Sequence, residues 1–182
     1  MTSDQNLVEQ TLEGNLEAFD ELMKRYERLV YKVAVGFVGD PENAFDVSQT
    51  VFMKAYKALG SFRKEANVKT WLMRITYNES INWIRKPSSR SQIHDSIDEA
   101  STELTAGASQ EADLERTENR ALIGKAMTKL NDRYRLAVVL RYFQGLGISE
   151  ISEVLGCSDG VTKNILFRSV KTMREAMTEG VC

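Results

Sequence analysis

Cysteine, proline and histidine are scarce in this chain, and each scarcity excludes something. The two cysteines, Cys157 and Cys182, are too few for a disulfide framework and match no zinc-ligand spacing, so free thiols and no metal are expected. The single histidine, His94, lies among polar and acidic residues, and no glycine-rich phosphate loop occurs. No catalytic constellation therefore competes for attention, and a protein without cofactor or enzymatic activity is expected. Only two prolines occur in 182 residues, which leaves room for long unbroken helices. No window approaches the ~18 consecutive apolar residues of a membrane span. Met1-Thr2-Ser3-Asp4-Gln5 lacks the basic-then-apolar pattern of a secretory signal, so a cytoplasmic chain is expected.

What is present has the balance of a folded protein: 42% hydrophobic and 27% charged residues can build a core and still stay in solution. The net charge of -2 conceals four blocks. Residues 1–53 sum to -6, residues 54–86 to +6, residues 87–115 to -6 and residues 116–182 to +4. Two basic blocks set apart by acidic ones suggest two contacts with a polyanion.

Apolar residues recur at three- and four-residue steps, and no sustained period-two alternation marks a sheet. Asn15 is placed to cap a helix to Val38, with Leu16, Phe19, Leu22, Met23, Tyr26, Val30, Val33, Ala34 and Phe37 on its inner face. Gly39 stops it, and Asp40-Pro41 starts the next helix, to about Leu59. Gly60 to Asn67 reads as a short basic loop before a helix to about Lys86. Pro87 to Glu115 is rich in Ser, Thr, Ala, Asp and Glu and reads as a flexible acidic linker. Helical spacing resumes from Arg116 to Leu130 and from Asp132 to Gln144, where Gly145-Leu146-Gly147 breaks it. Two more helices are expected, Ile148–Leu155 and about Asp159–Glu179. The fold class is thus all-α, with two small helical domains on either side of the linker: 1–86, 87–115 and 116–182.

The last two helices carry the clearest pattern. Ile148, Ile151, Val154 and Leu155 form an inner face, Gly156 supplies a left-handed turn residue, Cys157 fills the turn, and Ser158 can cap the next helix. In that helix Leu166, Val170, Met173 and Met177 point one way. Lys163, Asn164, Phe167, Arg168 and Lys171 point the other, with no acid between Thr162 and Arg174. Arg and Lys donate to guanine, Asn pairs with adenine and an apolar group meets a thymine methyl, so the pattern suits a helix-turn-helix in the major groove. A plain helical hairpin with a solvated basic face would show the same spacing.

These residues resemble the extracytoplasmic-function (ECF) group of bacterial sigma factors over nearly the whole chain. Leu130 to Arg135, Leu140 to Leu146, Ser149 to Gly156 and Lys163 to Arg168 look like the family's C-terminal domain, which implies recognition of duplex DNA at the -35 promoter element. The family usually has Thr-Val-Lys where this chain has Val161-Thr162-Lys163, which leaves the phase of the reading face open by about one position. Independently, Asp46-Val47-Ser48-Gln49-Thr50-Val51-Phe52 looks like the segment that docks on the polymerase clamp. Asp46, Gln49 and Phe52 are three apart, so one helical edge could present all of them.

Phe62-Arg63-Lys64 and Thr70 to Asn78 resemble the reader of the -10 element. The residues expected to hold its single strand are Arg63, Lys64, Asn67, Lys69, Arg74 and Asn78, with Trp71 and Tyr77 either stacking on bases or packing in the core. The resemblance implies core RNA polymerase, promoter DNA in duplex and single-stranded form, and an anti-sigma factor as partners. Two readings from other classes stand beside it. One is a dimeric helix-turn-helix regulator; the other is a helical adaptor that binds only protein.

Overall fold

The structure is a computed structural model and describes residues 2–63, 67–86 and 122–179. The expected linker, with His94, lies outside the described residues, as do Lys64 and Cys182. Among the described residues only helices and turns occur. The N-terminal part has four helices: α1 Asp4–Leu12, α2 Leu16–Val38, α3 Pro41–Ala58 and α4 Val68–Ile84, with a 3-10 turn at Leu59–Ser61. The C-terminal part begins with helical residues 122–128, here α5. It continues with α6 Asp132–Val138, a π-helical turn Val139–Phe143, α7 Ile148–Leu155 and α8 Asp159–Glu179.

Most of the described helices start where a side chain can take up an orphan amide. Asn15 Oδ1 accepts from the amides of Glu17 and Ala18 at 3.0 and 3.3 Å. Asp40 Oδ1 accepts from Asn43 at 2.7 Å, with Pro41 as the first helical residue. Asn67 and Asn131 cap α4 and α6 in the same way, at 3.3 and 3.0 Å. Gly39, at φ 82°, ends α2 in a conformation that side chains resist.

Among the described residues the expected helices are present, with two additions; residues 116–121 of the helix expected from Arg116 lie outside the described residues. The helix α1 was not expected. Ser3 caps it, and Leu7, Val8 and Thr11 are its buried face. Arg25 ties it to α2 by donating to Asp4 at 2.9 Å and to the Thr2 carbonyl at 2.7 Å. The Tyr26 hydroxyl also donates to Asp4; burial foremost, then this bond, raises the phenol's pKa above its ordinary value.

The second addition is the π turn. The helix expected as far as Gln144 widens after Val138, and the Gln144 amide reaches the Val139 carbonyl at 3.1 Å. The chain then folds back so that the Leu146 amide meets the Leu140 carbonyl at 2.9 Å. One hydrophobic cluster joins Val30, Phe37, Val47, Phe52 and Met73 of the first part to Leu136, Leu140, Ile151 and Leu166 of the second. A smaller cluster lies under α1, around Leu7, Leu22, Leu59 and Phe62.

Candidate nucleic-acid interface

The turn between α7 and α8 fixes what α8 presents. The amide of Gly147 donates to Glu150 Oε2 at 2.8 Å, closing the first turn of α7. This bond first, and the Lys69 ammonium second, hold the Glu150 carboxyl below the usual carboxylate range. Gly156 ends the helix in the left-handed conformation at φ 63°. Ser158 Oγ then accepts from the Val161 amide at 3.4 Å.

Thr162 settles the rotation of α8. It is fully buried, whereas Val161 is 46% exposed, so the reversed order of these two residues puts the hydroxyl inside and the isopropyl group outside. The buried hydroxyl is not orphaned. Thr162 Oγ1 lies 2.8 Å from Ser152 Oγ and 3.3 Å from Cys157 Sγ, and Ser152 Oγ lies 2.8 Å from the Ile148 carbonyl oxygen. A relay in which the thiol, the threonine and the serine each donate once satisfies the whole group. Replacing Thr162 by Val keeps the shape and removes the middle of this relay. We expect a loss of about 0.5–1.5 kcal/mol of unfolding free energy. Adding Ser152→Ala should cost less than the sum of the two single changes, and urea denaturation of the four chains checks this.

With that phase, Ile165, Leu166 and Ser169 point inward, and Lys163, Asn164, Phe167, Arg168 and Lys171 are all exposed. Phe167 is 71% exposed, the highest value among the exposed large apolar side chains of the described residues. An apolar ring kept in water between amide and guanidinium groups fits contact with a thymine methyl.

The residues expected at the -10 element spread over a loop and a helix. Arg63, Asn67, Arg74 and Asn78 are exposed, and Lys69 is half-buried. Asn67 uses its side-chain oxygen to cap α4. Lys69 Nζ is paired with Glu150 Oε1 of the C-terminal part at 3.0 Å. Trp71 divides its roles: it is half-buried, and its ring lies 5.1 Å from that of Phe62. Tyr77 is half-buried against Phe37, and burial foremost raises its pKa. Thr70 Oγ1, a group the sequence did not single out, is buried without a hydrogen-bond partner among the described residues.

The clamp-docking edge needs a correction. Asp46 and Gln49 are exposed, but Phe52 is buried at 9% exposure, inside the core cluster. Each three-residue step turns about 300° on a helix of 3.6 residues per turn, so two steps leave Phe52 about 120° round the helix from Asp46, toward the core. The outer surface of α3 instead carries Phe45 and Met53, at 57% and 58% exposure, beside an open hollow lined by Pro41, Glu42, Phe45 and Asp46. Two bulky apolar side chains left in water were the missed signal, and only the rotation of α3 shows them to be outside.

Such a structure is that of a helical DNA-binding protein with a helix-turn-helix at its C-terminal end. Residues 22–90 match sigma-70 region 2, and residues 120–173 match sigma-70 region 4. The chain is 34% identical to the RNA polymerase sigma-H factor of Pseudomonas aeruginosa, over 96% of this chain and 93% of that one. It is 32% identical to the ECF RNA polymerase sigma-E factor of Escherichia coli K12, over 98% of this chain and 94% of that one. In fold it is similar to CnrH, solved in complex with the cytosolic domain of CnrY, with a TM-score of 0.69, 23% identity and 97% coverage of both chains. It is also similar in fold to RpoE of Bartonella quintana, solved with the anti-sigma factor NepR, with a TM-score of 0.63, 23% identity and coverage of 88% and 96%. The chain belongs to the sigma-70 family of RNA polymerase sigma factors, and within it to the ECF group.

Proposed function

We propose that this sigma factor binds core RNA polymerase, carries it to particular promoters and helps melt them, as a cytoplasmic protein without enzymatic activity. Domain 1–86 docks on the polymerase through the α3 surface of Asp46, Gln49, Phe45 and Met53. It holds unpaired -10 DNA with Arg63, Lys64, Asn67, Lys69, Arg74 and Asn78. Residues 87–115 tether the domains, and a coil of that length spans tens of ångströms. Domain 116–182 reads duplex -35 DNA with Lys163, Asn164, Phe167, Arg168 and Lys171. An anti-sigma factor holds the chain inactive; the Bartonella relative was solved with such a partner.

The observation that carries this reading is the outer face of α8, where four groups able to meet base edges or phosphates, Lys163, Asn164, Arg168 and Lys171, stand exposed around Phe167. Melting by this route needs no hydrolysis, because trapping an unpaired strand on cations and aromatic rings supplies the driving force. Transcription in vitro tests it. Core polymerase with this protein should give promoter-specific transcripts that core polymerase alone does not. Sequence-specific DNA binding by the free protein, with no such transcripts, would favour the dimeric regulator instead.

A further inference from the structure

Glycine inside a helix works against stability, because it loosens the backbone and adds no side chain to pack. Two other glycines of this chain have an internal reason. Gly156 holds φ 63°, a conformation that side chains resist. Gly36 lies in α2, where a Cβ would come 3.2 Å from a methyl group of Val139, so the packing leaves no room for one. Gly160 has neither reason. It is the second residue of α8, it is not among the glycines with positive φ, and a Cβ built on it would meet nothing within 4 Å. The turn ahead of it is already made by Gly156 and capped by Ser158. Among the described residues, nothing calls for glycine at this position.

Its place on α8 is specific. Gly160, Asn164, Phe167 and Lys171 follow one another at four, three and four residues, which is one straight line along a helix. Asn164, Phe167 and Lys171 are exposed, whereas Thr162, Ile165, Leu166 and Ser169 on the opposite side are buried. The line that starts at Gly160 is therefore the crest of the outer face. Lys163 flanks it on one side, and Val161 and Arg168 flank it on the other. Each later position on the crest carries a side chain able to meet a base or a phosphate; the first turn is bare backbone. A recognition helix contacts base edges with its N-terminal residues. A missing side chain there lets the backbone come closer to the groove by the depth of a methyl group. The short side chains of Val161 and Asn164 then reach base edges that a helix held further out would miss. We infer that Gly160 is where α8 lies closest to the promoter duplex, and that its missing side chain sets the depth of the helix in the major groove. It is a positioning residue: it reads no base itself and acts by bringing Asn164 and Arg168 to theirs. The inference rests on the proposed reading of duplex DNA by α8.

Gly160→Ala tests this, because stability and DNA binding should move in opposite directions. Alanine fits a helical backbone and meets no neighbour here, so the thermal midpoint of the full chain should rise by about 1–4 °C. The holoenzyme formed with core polymerase should meanwhile bind a promoter duplex about fivefold more weakly or worse, the effect of one methyl group too many in a fitted contact. The probe is a fluorescein-labelled duplex recovered by the wild-type holoenzyme from a pool randomised over the -35 positions. Gly160→Leu, with a longer side chain on the same crest, should weaken binding further. The slope of affinity against salt should stay that of wild type, since no cation is lost. A Gly160→Ala chain that binds the duplex as tightly as wild type overturns the inference, as does a loss traced to weaker assembly with core polymerase. A lowered thermal midpoint overturns it too, because the glycine would then serve the fold. Arg168→Ala on the same duplex separates this inference from the reading beneath it. If that variant also binds like wild type, α8 does not read the duplex; if it binds weakly and Gly160→Ala does not, only the place given to Gly160 is wrong.

Discussion

Replacing Arg168 by Ala is expected to lower transcription from a cognate promoter about 5- to 150-fold, which corresponds to the ~1–3 kcal/mol of one bidentate base contact. Arg168 is exposed beside Phe167 and Asn164 on the face of α8 that the buried Thr162 turns outward. A base contact is lost at one base pair, so promoters altered at that pair should be transcribed equally by both proteins. Lys171 lies one turn beyond Phe167 on the same face, and among the described residues its ion pair, to Glu175, is a long one at 3.9 Å. Lys171→Ala should weaken all promoters alike and reduce the salt dependence of DNA binding by about one counterion. Measuring the two variants on a set of -35 substitutions separates base reading from phosphate holding. Unchanged discrimination by Arg168→Ala would remove it from the reading face.

The parts of this molecule that were legible in the sequence are those governed by local chemistry. Asn15 and Asp40 cap where caps were expected, since an Asx oxygen before an apolar run has few other uses. Gly156 takes the left-handed turn, and α7 and α8 have the expected bounds. The rotation of α8 was legible to within one position, and a hydrogen bond between residues of two helices, Ser152 and Thr162, fixes the remainder. What was not legible depends on partners far along the chain. The short α1 has only Leu7, Val8 and Thr11 as its buried face, and its anchor is the pairing of Asp4 with Arg25. Phe52 and Met53 are adjacent, and which one faces solvent follows from the rotation of α3 against α2 and α4. The run from Leu136 to Leu140 did carry a signal. Five successive apolar residues exceed the stripe that one neighbouring helix covers, and the second neighbour proved to belong to the other domain.

That shared burial leads to the second large effect. Leu140 is fully buried at the start of the π turn, and its carbonyl accepts from Leu146 at 2.9 Å. Leu140→Ala should lower the unfolding free energy by about 2–5 kcal/mol, the transfer cost of the lost methyl groups plus the cavity they leave. The position of the tryptophans makes the experiment report on more than stability. The chain has two, Trp71 and Trp83, and both lie in α4 of the N-terminal domain, half-buried against the cluster that Leu140 joins. If the two domains share one core, truncation at Leu140 shifts the urea midpoint of tryptophan fluorescence together with that of far-UV circular dichroism, and the two transitions coincide. If each domain keeps its own core, the fluorescence transition stays at the wild-type midpoint while the dichroism acquires an earlier phase. The first outcome joins the stability of α4, proposed to hold the unpaired strand, to a residue in the C-terminal unit, proposed to read duplex DNA.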